Sequence, residues 1–185
     1  AHPTRQQFLK DLLTVLEPDM SAKSPLTVVL HLKKRETKLS EKPWPQRKKG
    51  KESFHMDEWL EVSGRFLDGT EFSETVTDLI RTRSYLNASN KNKVKTRRHT
   101  LIALKLRYPS AVYGDAGRAY QTLGNTLQAS QTVQLKGFEV TEKAVSLKGV
   151  ISDDKHLKEA SAILFLGAYR ILNLSRKLTA SGGAK

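Results

Sequence analysis

HTLIALKLRY, residues 99–108, sets Ile102, Leu104, Leu106 and Tyr108 on one side and Lys105 and Arg107 on the other. A period of two is the mark of a strand with one face buried and one wet. Three further regions of the chain repeat it. LTVVLHL (26–32) alternates Leu26, Val28, Leu30 and Leu32 against Thr27 and His31. The stretch 58–66 turns Leu60, Val62 and Phe66 inward and Trp59, Glu61 and Arg65 outward, and Asp68-Gly69 then marks a turn. TVQLKGFEV and AVSLKGVIS share V-x-L-K-G and predict a hairpin of strands at 132–139 and 144–151. In it Val133, Leu135, Val145 and Leu147 face inward, while Lys136, Phe138 and Lys148 lie on the polar face.

Helical spacing brackets these strands. Phe8, Leu9, Leu12, Leu13 and Leu16 recur at intervals of three and four between Pro3 and Pro18. Thr75 with Asp78 three residues on resembles a capping box, and Val76, Leu79 and Ile80 predict a short helix after it. Pro109-Ser110 opens a helix carrying Val112, Ala116, Tyr120, Leu123 and Leu127. Gly114, Gly117 and Gly124 each weaken that helix by roughly 1 kcal/mol relative to alanine. Asp153 or Asp154 caps a last helix, 154–178, whose core ASAILFLGAYRILNL is too short to span a bilayer and too apolar for a surface. It is expected to lie buried on the sheet through Ile163, Leu164, Leu166, Ile171 and Leu174, with 179–185 as a flexible tail. The predicted class is α+β, a mainly antiparallel sheet with helices on one face, long basic loops and a buried C-terminal helix, in one domain over residues 1–178.

The charge points to function. Lysine and arginine number 32 against 19 acids, a net charge of +13. The whole excess lies in two blocks, KKRETKLSEKPWPQRKKGKE (33–52) and RTRSYLNASNKNKVKTRR (81–98), both read as loops between strands. Concentrated blocks of this kind suit phosphates or anionic headgroups. The residues selected as phosphate contacts are Lys33, Lys34, Arg35, Arg47, Lys48, Lys49 and Lys51 in the first block, and Lys91, Lys93, Lys95, Arg97 and Arg98 in the second. Trp44, held extended between Pro43 and Pro45, is the candidate stacking platform or anchor. The simplest alternative for the first block is a solvated loop. Its spacing of Lys33-Lys34 from Arg47-Lys48-Lys49 also matches a bipartite nuclear-import signal.

The expected function is binding to nucleic acid, with RNA or single-stranded DNA preferred because no helix offers the basic reading face of a major-groove reader. The competing expectation is a structural protein of viral matrix type, bound to anionic membrane or a nucleocapsid. A homodimer is a further expected partner, through the glycine-bearing helix or the apolar C-terminal one. The chain has no cysteine, which excludes disulfides, thiolate zinc sites and cysteine nucleophiles. The five histidines lack metal-ligand spacing, so no metal or cofactor is expected. Asp57, Glu58 and Glu61 form one acidic cluster near Trp59, the only hint of a metal-dependent nuclease. The absence of a long apolar run predicts a soluble, intracellular protein, cytoplasmic or nuclear.

From residue 99 onward the order strand, Gly114-Asp115-Ala116-Gly117, helix, strand, strand, helix resembles the K-homology RNA-binding domain, whose G-x-x-G loop clamps a nucleic-acid backbone. Here only five residues separate Tyr108 from Gly114, and Asp115 stands where a phosphate would approach. SGRFLDGTEFSET (63–75) is similar to a short segment of the FKBP-type prolyl isomerases. Neither resemblance contributes a site residue.

Overall fold

A computed structural model describes residues 3–32, 37–39, 50–117 and 132–182, with side chains to 176. The described chain forms a seven-stranded antiparallel sheet and three helices. Helix α1 (Pro3–Leu16) ends in a 3-10 turn at Glu17–Asp19. The strands are β1 (Thr27–Leu30), β2 (Thr37–Lys38), β3 (Lys51–Arg65), β4 (Glu71–Leu86), β5 (Asn92–Arg107), β6 (Gln134–Val140) and β7 (Ala144–Ile151). Helix α2 (Ser110–Tyr113) follows β5, and α3 (Leu157–Gly182) closes the fold, running into the segment expected to be tail. The sheet order is β1-β3-β4-β5-β7-β6, with β2 paired to β3.

One face of the sheet carries the core. Val62, Phe72, Val76, Ile102, Leu104, Leu106, Val145 and Leu147 are buried there with Phe8, Leu12 and Leu16 of α1 and Leu164, Ile171 and Leu172 of α3. Phe66 stacks on Phe72 at 4.7 Å, and Phe165 of α3 meets both rings edge-on. Gly149 makes close approach possible at this face, because a Cβ there would sit 2.6 Å from Val133 Cγ1 and 3.4 Å from Leu164.

Five local expectations change. The segment 71–80 is strand, not helix. Its core-facing positions run Phe72, Glu74, Val76, Asp78 and Ile80, so two inward acids interrupt the apolar alternation that would announce a strand. Trp59 is buried, 3% exposed, because a register shift between Glu58 and Leu60 lets Trp59 and Leu60 both face the core. Phe138 pairs with Leu147 across β6 and β7 and packs on the core, since a shift between Leu135 and Gly137 reverses the phase of that strand. Leu166, expected against the sheet, is 65% exposed. The helix begun at Ser110 stops after four residues at Gly114, whose φ of 68° is left-handed. Tyr120, Leu123, Gly124 and Leu127, the rest of that expected helix, lie outside the described residues.

Leu164 and Leu166 therefore separate cleanly. Leu164→Ala should lower unfolding free energy by roughly 2–5 kcal/mol, whereas Leu166→Ala should change it by no more than about 0.5 kcal/mol, as read from urea denaturation. Equal losses would mean that α3 is rotated from the orientation described.

Candidate functional site

The second basic block is not a loop. Residues 81–86 and 92–98 are the outer halves of β4 and β5, paired rung by rung from Ile80↔Arg98 to Leu86↔Asn92 around the turn Asn87–Lys91. β3 runs beside them as far as Lys51↔Ser84. Beyond Thr100, where β7 stops pairing with β5, β3, β4 and β5 continue as a blade about 25 Å long at roughly 3.3 Å per residue, with the short β2 along β3 at its base. Every residue of β5 from Asn92 to Arg98 is exposed. The turn is closed by Asn87, whose side-chain oxygen accepts from the Ser89 and Lys91 amides, and Asn90 supplies the left-handed residue.

Strand register sorts the cations by face. Arg81 lies opposite Arg97, Arg83 opposite Lys95, and Tyr85 opposite Lys93. All point to the face away from α1 and α3, and Arg81, Arg83, Lys95 and Arg97 line one shallow depression. Glu52 answers part of this charge: its carboxylate bonds Arg81 Nη2 and lies 3.9 Å from Arg83 Nε. Arg83 also stacks over the Tyr85 ring at 4.7 Å, and Arg81 lies over Phe54 at 6.0 Å. No acidic side chain pairs with Lys93, Lys95 or Arg97 among the described residues. Like charges directly opposite on a sheet destabilise it, and here two such pairs follow one another.

Of the residues expected to contact phosphate, Lys93, Lys95 and Arg97 are brought onto one face. Arg98 points the other way, 3.8 Å from Asp78 and 3.9 Å from Asp154. Lys91 is exposed in the turn and Lys51 begins β3. Lys33, Lys34, Arg35, Trp44, Arg47, Lys48 and Lys49 lie outside the described residues. Arg81 and Arg83 belonged to the basic block but were not singled out, since a loop has no register to set them beside Arg97 and Lys95. Lys105, Arg107 and Lys148 are exposed on the same face of the sheet, nearer its covered end. Burial, with the charges of Arg97 and Lys136, pushes the His99 imidazole down, so it adds little positive charge there.

The acids expected to cluster near Trp59 are divided. Asp57 is buried and bonded to Arg5 at 2.5 Å, while Glu58 and Glu61 are exposed. Among the described residues no group of three or more His, Asp or Glu could hold a metal ion. None of the described helices is long and apolar enough to cross a membrane. No model of a protein family, no curated protein and no solved structure matches the chain.

A second unusual group sits in the core. Glu74 on β4 is fully buried between Val62 and Leu104. Burial pushes its carboxyl up to about 7, slightly opposed by Ser161 of α3. Neither carboxylate oxygen, nor the Ser161 hydroxyl, has a well-formed hydrogen bond. The folded state thus holds the proton more tightly than the unfolded chain does. The stability this confers is complete below the ordinary value of 4.5 and disappears as pH rises through about 7. Glu74→Gln, which stays neutral, should gain roughly 2–3 kcal/mol on the wild-type protein between pH 5 and pH 8 in urea unfolding. A constant difference over that range would show that Glu74 is ionised or solvated in the folded protein.

Proposed function

We propose that the protein binds nucleic acid, RNA or single-stranded DNA, through the cationic face of the blade formed by β3, β4 and β5. The observation that carries this reading is the run of cross-strand cation pairs, Arg81 with Arg97 and Arg83 with Lys95, continued by Lys93, with Glu52 meeting Arg81 and Arg83 and no acid pairing with Lys93, Lys95 or Arg97 among the described residues. Phosphates supply the missing counter-charge, and release of their condensed cations drives association. Tyr85 lies at the outer end of the same face, half-buried and cross-strand from Lys93. Its ring offers a surface on which a base could stack.

Shape supports a single strand over a duplex groove. A major groove about 12 Å wide admits a two-stranded ribbon. Here β3 accompanies β4 almost to the tip, and three strands spaced by about 4.8 Å exceed that width once side chains are counted. A flat cationic face with an aromatic ring suits an extended single strand better.

One observation favours the membrane reading as well. Leu86 and Val94, near the tip on the blade face opposite the cations, are 62% and 68% exposed, and a tip apolar on one face and cationic on the other also suits an anionic lipid surface.

The double variant Lys95→Ala/Arg97→Ala should flatten the plot of log affinity against log salt for a single-stranded oligonucleotide by about 1.4, roughly 0.7 for each contact. Its melting temperature should stay level or rise, since two like-charge pairs are relieved. An unchanged slope would remove the blade from the binding surface. Sedimentation with anionic vesicles at the same salt, without oligonucleotide binding, would favour the membrane reading.

A further inference from the structure

On the covered side of the sheet, between α1 and α3, lies a cavity of about 540 Å³, within the range of small-molecule sites. Leu12, Val15 and Leu16 of α1 and Phe165 and Leu166 of α3 give it apolar walls. Val15, Leu67 and Leu166 stand exposed at its rim.

Its charge is opposite to that of the rest of the protein. Asp19 and Asp68 line it, and the one cation among the lining residues, Lys158, lies 3.8 Å from Asp11. Asp68 is fixed in place: Oδ1 accepts from the Thr70 amide at 2.8 Å and Oδ2 from the Tyr113 hydroxyl. Asp19 is exposed, and no cation pairs with its carboxylate among the described residues. Aromatic rings gather at the same end. Tyr113 and Tyr169 line the cavity, and Tyr169 is 5.8 Å from the Phe66 ring. Burial, with the Asp68 charge, raises both tyrosine hydroxyls, so neither ionises. Carboxylates among aromatic faces attract an organic cation rather than an anion.

The other end is unsatisfied. Ser161 lines the cavity while only 1% exposed, and no well-formed hydrogen bond closes between its hydroxyl and the Glu74 carboxyl behind it. Buried polar atoms without partners are rare and costly. Ser161 and Tyr169 are eight residues apart on α3, about 12 Å at 1.5 Å per residue.

We propose that this cavity binds an alkylammonium amphiphile whose chain ends in a hydrogen-bonding group. The ammonium sits between Asp19 and Asp68 against the Tyr169 ring, since the Arg176 guanidinium already lies over Tyr113 at 5.8 Å. The chain follows Leu12, Val15 and Leu166, and its far end reaches Ser161. This site stands apart from the polyanion surface on the blade and does not depend on it.

Isothermal titration calorimetry with 8-amino-1-octanol, whose chain matches the span, tests the proposal against octylamine and octanoate. The amino alcohol should bind, with octylamine weaker by a few-fold and octanoate weaker by roughly ten-fold or more. Asp19→Asn should weaken the amino alcohol by roughly five-fold, and Ala162→Phe, which fills the cavity, should abolish its binding. Equal affinity for octanoate and octylamine would overturn the proposal in favour of an indiscriminate apolar groove. Absence of binding by all three probes would also overturn it, as would sedimentation showing the cavity closed by a second copy that Leu166→Glu releases.

Discussion

One guanidinium ties the first helix to the middle of the sheet. Arg5 of α1 is buried, bonded at 2.5 Å to Asp57 of β3 and at 3.2 Å to Asp78 of β4. It also donates to the His31 carbonyl and lies over Trp59 at 4.9 Å. The Thr100 hydroxyl of β5 lies 3.0 Å from Asp78 and 2.9 Å from Asp154, at the entrance to α3. Removing water from two carboxylates is tolerable only with a cation in contact. Among the described residues Arg5 is the cation that touches both, with Arg98 approaching Asp78 from the edge. The cluster therefore fixes α1 across β3 and β4, and Thr100 joins β5 and the start of α3 to the same point. Its position is the boundary of the fold. On one side lie the apolar core and both long helices; on the other the three middle strands continue without a described helix on either face.

That boundary explains how a strongly basic protein keeps an ordinary core. The covered half buries its few acids in pairs with Arg5, or neutral in the case of Glu74. The cations are sent outward along strands that already hydrogen-bond to one another. On the blade, cross-strand neighbours lie about 5 Å apart, inside the Debye length of about 8 Å at physiological salt, so their repulsion is not screened away. A polyanion that neutralises them stabilises the blade as it binds, and affinity and local order then rise together.

The fold class was legible because most strands bury one face only. β7 and the inner half of β5 keep strict alternation, and their bounds follow it closely. Where both faces are wet the signal vanishes: no residue of β5 from 92 to 98 is buried, so a strand of Lys, Thr and Arg reads as a loop. β4 was hidden for the opposite reason, two acids in core positions: Asp78, met by Arg5 of α1, and Glu74, buried beneath Ser161 of α3. Trp59 and Phe138 were assigned to the wrong face by bulges, which shift phase without changing composition. Of the candidate site, the sequence located the charge but not its geometry. Lys93, Lys95 and Arg97 share a face by parity alone, whereas their pairing with Arg81 and Arg83 depends on a register set by the turn at Asn87–Lys91.

The central claim is that the blade's outer face, and not the general positive charge of the chain, meets the polyanion. Backbone amide shifts of the protein, followed by NMR during titration with a short single-stranded oligonucleotide at moderate salt, test it most directly. Perturbations concentrated at residues 81, 83, 85, 93, 95 and 97, with little change at Lys105, Arg107 and Lys148, are the predicted result. Shifts spread evenly over exposed lysines and arginines, or centred on the far end of the sheet, would contradict it.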